Sequence, residues 1–107
     1  MKVEQANVRD FKKEVDYTSG GIVSKQILKT KGGNVTLFAF DEDQSLSDHT
    51  AAFDALVIII EGEAEVTIDG KPYPLTEGNS IIFPANIPHG VKAVSSFKML
   101  LTMLKEC

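Results

Sequence analysis

Gly78-Asn79-Ser80-Ile81-Ile82-Phe83-Pro84-Ala85-Asn86-Ile87-Pro88-His89 is the stretch that decides the fold. Glu77-Gly78 turns the chain into a short apolar strand at residues 81–83. Pro84 and Pro88, spaced around Asn86, then stop it, because proline offers no N–H to a ladder. A histidine follows at once. Working outward, every flanking segment repeats this scheme of short strand and turn. Residues 64–68 alternate apolar and polar, Asp69-Gly70 is a type I′ hairpin signal, and residues 71–75 return. Residues 91–94 and 97–104 supply the last strands. The latter could be a short helix by composition, but the regular strand spacing before it favours strand.

Upstream the same reading holds. Gly20-Gly21 punctuates, residues 22–30 read as a strand, Lys31-Gly32-Gly33-Asn34 as a hairpin turn, and residues 35–40 as its return. Residues 41–48 read as an acidic polar loop. Residues 55–60 are apolar at every position, so both faces of that strand should be covered, one by a barrel interior and the other by a second layer or a subunit. Gly62 ends the run. In residues 1–16, Val8, Phe11 and Val15 recur at helix-like spacing, and a strand or loop reads nearly as well. Many short strands at regular spacing point to an all-β closed or two-sheet barrel, since closure removes exposed sheet edges.

Composition narrows the rest. At 107 residues the chain reads as one domain, with residues 1–20 an N-terminal segment suited to dimer formation and 21–107 the barrel. A net charge of −4 without a basic cluster argues against nucleic acid or an anionic membrane surface as partner. No apolar run approaches the roughly 18 residues of a membrane span, and Met1-Lys2-Val3-Glu4-Gln5 does not read as a signal peptide, so the expectation is a cytoplasmic protein. The single cysteine, Cys107, permits no intrachain disulfide and reads as a terminal thiol without a partner base.

The two histidines complete a pattern. His49 precedes the 55–60 strand and His89 closes the opening stretch. Residues 43–104 resemble the cupin superfamily, in particular its small single-domain members. The family's second motif is Gly, five residues, Pro-x-Gly-x-x-His, three residues, Asn. Gly78, Pro84 and His89 fit it, Asn86 stands at the middle glycine and Ala93 at the final asparagine. The first motif is Gly, five residues, His-x-His, three or four residues, Glu, six residues, Gly. Gly62 fits its closing glycine and His49 its first histidine. Asp43 stands at the opening glycine, Ala51 at the second histidine and Ala55 at the glutamate.

This resemblance implies a double-stranded β-helix, or jelly-roll barrel, and a homodimer. It also implies a site where three imidazoles and a carboxylate hold a divalent first-row metal with positions left open for substrate. Here His49 and His89 remain as candidate metal ligands, for one loosely held divalent transition metal. Asp54, Asp48 and Gln44 are candidates for a third ligand, although Asp54 sits one residue from the glutamate position and so on the opposite face of its strand. Phe53, Phe83, Met99 and Met103 can line a ligand pocket or serve as plain core. Two functions follow. One is a module that binds a small organic molecule in the barrel, anchored by His49 and His89. The other is a metal-dependent oxygenase or isomerase of a small organic acid or sugar derivative. Ser45, Ser47, Ser95 and Ser96 have no His/Asp pair that would make a hydrolase triad. Asp41-Glu42-Asp43 lacks the spacing of a calcium loop.

Overall fold

The structure, a computed structural model, describes residues 6–105. Cys107 and the first five residues lie outside the described residues. The described chain forms nine strands: β1 (Ile22–Thr30), β2 (Gly33–Phe40), β3 (Ser45–His49), β4 (Asp54–Glu61), β5 (Glu63–Ile68), β6 (Lys71–Thr76), β7 (Ser80–Phe83), β8 (His89–Ala93) and β9 (Phe97–Leu104). They build two antiparallel sheets, ordered β1-β2-β9-β4-β7 and β3-β8-β5-β6. This is the all-β jelly-roll barrel that the strand spacing and the family resemblance imply, and residues 97–104 are strand.

Alternation drives the layering. Ala55, Val57 and Ile59 of β4 face Val66 of β5, Phe97 and Met99 of β9 and Phe40 of β2 in one core between the sheets. The Phe40 and Phe97 rings stack at 4.6 Å. Burying such side chains supplies about 1.5–3 kcal/mol each, which is what a chain of this length has to hold two sheets together. Turn chemistry matches the backbone. Asp69 and Gly70 both have positive φ, as a type I′ turn demands. Asn86 and Asp43, which stand where the cupin motifs carry glycine, adopt φ of 65° and 68°. Asn and Asp are the residues besides glycine that best tolerate that region.

One expectation needs correction, and one open reading resolves. Residues 45–48, read as loop, belong to strand β3, which pairs with β8. All five β3 residues are exposed, so no apolar alternation betrays the strand; backbone hydrogen bonds alone define it. The helix-like spacing of Val8, Phe11 and Val15 yields only a single 3-10 turn, Phe11–Lys13, capped by Asp10, whose side chain accepts from the Lys12 N–H at 3.1 Å. Val15 is buried, Phe11 partly so, and Val8 fully exposed.

That N-terminal segment lies on the outer face of its own larger sheet. Val15 and Phe11 pack with Leu37, Ala39, Val23, Ile60 and Leu100 in a second, smaller cluster. Lys98, nearly buried, fastens it. Its Nζ donates to the Lys12 carbonyl, lies 3.6 Å from the Glu61 carboxylate and sits 5.0 Å above the Tyr17 ring, while the Tyr17 hydroxyl donates to Glu61. Of the three outward apolar residues of β4, Ile60 is thus covered within the chain. Ile58 is half-buried and Leu56 remains 38 % exposed.

Candidate functional site

His49 and His89 are 40 positions apart in the chain and become neighbours because β3 pairs with β8 in a register that sets one opposite the other. Their ring centroids are 4.4 Å apart and the rings meet edge to face. Gly90 adds to the closeness of the two strands. A Cβ at that position would lie 2.3 Å from Oδ1 of Asp48, a side-chain end that can swing aside, and 3.1 Å from the Leu46 carbonyl, which would have to give by a few tenths of an ångström. His89 also stacks on Phe83 at 4.3 Å and 15°, fixing its plane.

Both rings are oriented alike. Nδ1 of His49 lies 2.9 Å from the Ser47 carbonyl, and Nδ1 of His89 lies 3.2 Å from that of Ile87. A carbonyl can only accept, so each Nδ1 carries the proton and donates it. In the neutral rings this leaves the lone pair on Nε2, the arrangement that suits a histidine to bind a metal or to accept a hydrogen bond from a ligand.

The rings share a cavity of about 80 Å³ between the sheets. His49 is exposed, at the mouth; His89 is buried, at 5 % exposure. Of the residues expected to line a pocket, Phe83, Met99 and Met103 do so. Phe53 does not. It lines a separate cleft with Asp54, Ala85 and Asn86, and the Lys105 ammonium sits 5.1 Å over its ring. Phe53 precedes β4, in a bend outside the regular alternation, so strand periodicity does not aim it inward. Phe38, Leu46, Val91 and Leu101 complete the apolar lining. Phe38 and Leu101 share parity with Phe40 and with Met99 and Met103, a signal already present in the sequence.

The family's ligand positions converge on this same cavity. Ala51 and Ala55 line it alongside His49 and His89. The candidates for a third ligand do not replace the lost groups. Asp54 faces the separate cleft, where its Oδ1 accepts from the Ala85 N–H at 2.8 Å, consistent with its one-residue offset. Asp48 is exposed, and Gln44 sits in the loop before β3, where its carbonyl accepts from the Ala93 N–H. Among the described residues no group of three His, Cys, Asp or Glu side chains could hold a metal ion. The residues present therefore do not fit the four-ligand metal set of the family.

Burial holds the His89 imidazole below the ordinary histidine value. Loss of solvation is the main cause and neighbouring His49 adds to it, whereas the Ile87 carbonyl and Asp48 pull the other way. The sign for stability follows. Below an unfolded-state pKa of about 6.5 the unfolded chain takes up a proton that the folded chain resists. Stability is therefore full above that value and falls as pH drops through the folded pKa. Urea unfolding at about pH 7.5 and about pH 5 is expected to show this loss. A His89→Phe variant should lose the part of the pH dependence that belongs to this ring. A pH dependence unchanged in that variant would assign the effect elsewhere.

The sequence profile of the cupin domain family matches residues 36–104. The chain is a cupin. Structures similar to this cupin carry the same architecture. One is a conserved protein of unknown function from Streptococcus pyogenes, 36 % identical, covering 95 % of this chain and 90 % of that one, with a TM-score of 0.90. A cupin 2 conserved barrel domain protein from Leptotrichia buccalis is 41 % identical over 85 % of this cupin, which spans only 44 % of that longer chain, at a TM-score of 0.82. A cupin superfamily protein from Desulfitobacterium hafniense is 25 % identical, covering 86 % and 84 % of the two chains, with a TM-score of 0.83. No curated protein matches this cupin. Among the described residues, no helix is long and apolar enough to cross a membrane.

Proposed function

We propose that this cupin binds a compact, uncharged, largely apolar organic molecule that donates a hydrogen bond through a hydroxyl or N–H group. The observation that carries this reading is the orientation of the two imidazoles. Each commits its N–H to a backbone carbonyl, so that lone-pair nitrogens are the polar acceptors beside an otherwise apolar lining. Few polar groups in an apolar pocket fix orientation and select hydrogen-bonding type, whereas the apolar walls supply area. The enclosed volume of about 80 Å³ is roughly half that of a cavity that holds benzene, so it takes only a few heavy atoms. A longer ligand would extend past His49 at the mouth. A metal-dependent oxygenase or isomerase would need protein ligands that the described residues do not bring to this cavity.

The test uses three small probes of equal heavy-atom count: isopropanol, acetone and acetate. Imidazole ¹⁵N and methyl resonances are followed by NMR as each is added. At about pH 7.5, isopropanol is expected to bind best, because it alone can donate to a neutral imidazole nitrogen. Acidification should move the order toward acetate, because a protonated imidazole only donates. His89→Phe should abolish the preference for isopropanol over acetone. Equal binding of all three probes, or a preference that survives this substitution, would mean the imidazoles do not select the ligand.

A further inference from the structure

The cleft that holds Phe53 and Asp54 is separate from the barrel cavity, and its walls are tied together. Asp54 opens β4 opposite Leu104, the last residue of β9. The turn at Ala85-Asn86 is fastened to the start of β4 by two hydrogen bonds. The Ala85 N–H donates to Oδ1 of Asp54 at 2.8 Å, and the Asn86 N–H donates to the Ala51 carbonyl at 2.7 Å. The cleft between these elements has a volume of about 350 Å³, within the roughly 300–1,000 Å³ of small-molecule sites; the barrel cavity, at about 80 Å³, is not. It is roughly twice a cavity that holds benzene, so it takes about a dozen heavy atoms. Asn86 is its unusual member. At φ of 65° a glycine would be at ease, yet the chain keeps a side chain there. That amide is exposed and, among the described residues, has no hydrogen-bond partner. A residue held in the left-handed region without a structural use for its side chain is one to ask about binding.

We infer that this cleft is a second binding site, for a neutral pyranose sugar. The donor and acceptor types select the ligand. Asp54 can only accept, the Asn86 amide donates and accepts, and the Lys105 ammonium, 5.1 Å over the Phe53 ring, can only donate. A ligand that meets all three needs groups that do both, and hydroxyls are such groups. Phe53 and Leu104 supply apolar surface among these polar groups. A pyranose has the matching form, with a face of C–H groups to lay on the ring and hydroxyls around its rim. One carboxylate and one ammonium leave the site without net charge, which suits a neutral molecule. A zwitterion such as a free amino acid would meet the same two charges, but Asp54 and Lys105 are exposed, and ion pairs in water contribute little.

The test follows ¹H–¹⁵N and methyl resonances of the full chain as methyl β-D-glucopyranoside is added. The Ala85 amide and the Asn86 side-chain amide should shift, with a dissociation constant in the millimolar range, as the exposure of the cleft implies. The Met99 and Met103 methyls should stay in place, because they line the other cavity. Asn86→Gly should weaken binding about 2–10-fold, the equivalent of one lost hydrogen bond, while the melting temperature stays near that of the wild type because glycine suits the backbone there. Phe53→Leu should weaken binding as well, since it keeps apolar bulk but removes the flat ring. Four results would each overturn the proposal: no shift at residues 85 and 86, shifts at Met99 and Met103 instead, equal or tighter binding of L-leucine in the cleft, or unchanged affinity in Asn86→Gly.

Discussion

Cupin variants carrying Ala51→His together with Ala55→Glu are expected to bind nickel(II) and zinc(II) at least about 100-fold more tightly than the wild type. The reason is geometric. Positions 49, 51, 55 and 89 line one cavity, and two of them already hold imidazoles whose Nδ1 protons are committed to carbonyls. The wild type can offer a metal two neutral nitrogens and water. The double variant adds a third imidazole and a carboxylate, the set that suits a divalent first-row ion. Calorimetric titration of metal-free protein measures the gain directly.

Stability provides a second readout. Without metal, a glutamate at position 55, where alanine is buried, has its charge out of water and unpaired, so the double variant should melt below the wild type. Saturating metal should reverse the order, because a ligand bound only by the folded state adds about 2.7 kcal/mol at a hundred times its dissociation constant. Acid should weaken the gain, because protons compete with a metal for its ligands. Unchanged affinity in the double variant would mean that these side chains do not converge as their backbone positions indicate.

Gly62→Ala is expected to be far more damaging than the same change at Gly70, lowering stability by about 3–5 kcal/mol. Gly62 joins β4 to β5 at φ of 79°, which alone costs an L-residue about 1–2 kcal/mol. The larger part is contact. A Cβ there would stand 2.2 Å from the Ser96 carbonyl oxygen and 2.9 Å from Phe97 Cα, and backbone cannot swing aside as a side chain end can. Relief would require moving the start of β9, whose Phe97 and Met99 are in the core. Gly70→Ala is the control. Its φ is also 79°, but nothing lies within 4 Å of the added methyl, so only the conformational cost applies. At about 4–8 °C per kcal/mol for a domain of this size, the two melting temperatures should differ by more than about 8 °C. Equal losses would show that the corner between β4 and β5 yields.

Much of this architecture can be read directly from residue order. Turn chemistry at Asp69-Gly70, alternation in residues 64–68 and the unbroken apolar run at 55–60 are local signals, because each reports a backbone conformation or a two-sided burial that the residues themselves require. The motif spacing likewise identified His49 and His89, and the cavity contains both. The failures share one cause. Strand β3 is exposed throughout and Phe53 sits in a bend, so neither carries a periodic signal to read. Val8, Phe11 and Val15 have helix spacing, but what decides their state is the sheet face beneath them. That face buries Val15 and part of Phe11 and leaves Val8 in solvent.

By itself, then, the order of residues determined an all-β chain of short strands, its main turns, the alternation of residues 64–68 and the identity of the two histidines. Those properties depend on near neighbours along the chain. Tertiary structure alone decided that His49 and His89 touch, that the Nδ1 of each meets a backbone carbonyl, that burial lowers the His89 pKa, and that Ala51 and Ala55 share their cavity. It also decided which part of the outer sheet face residues 11–15 cover. Each of these depends on the pairing register of strands distant in sequence. Register is a property of two segments at once, and a one-residue slip in it would turn every side chain to the other face.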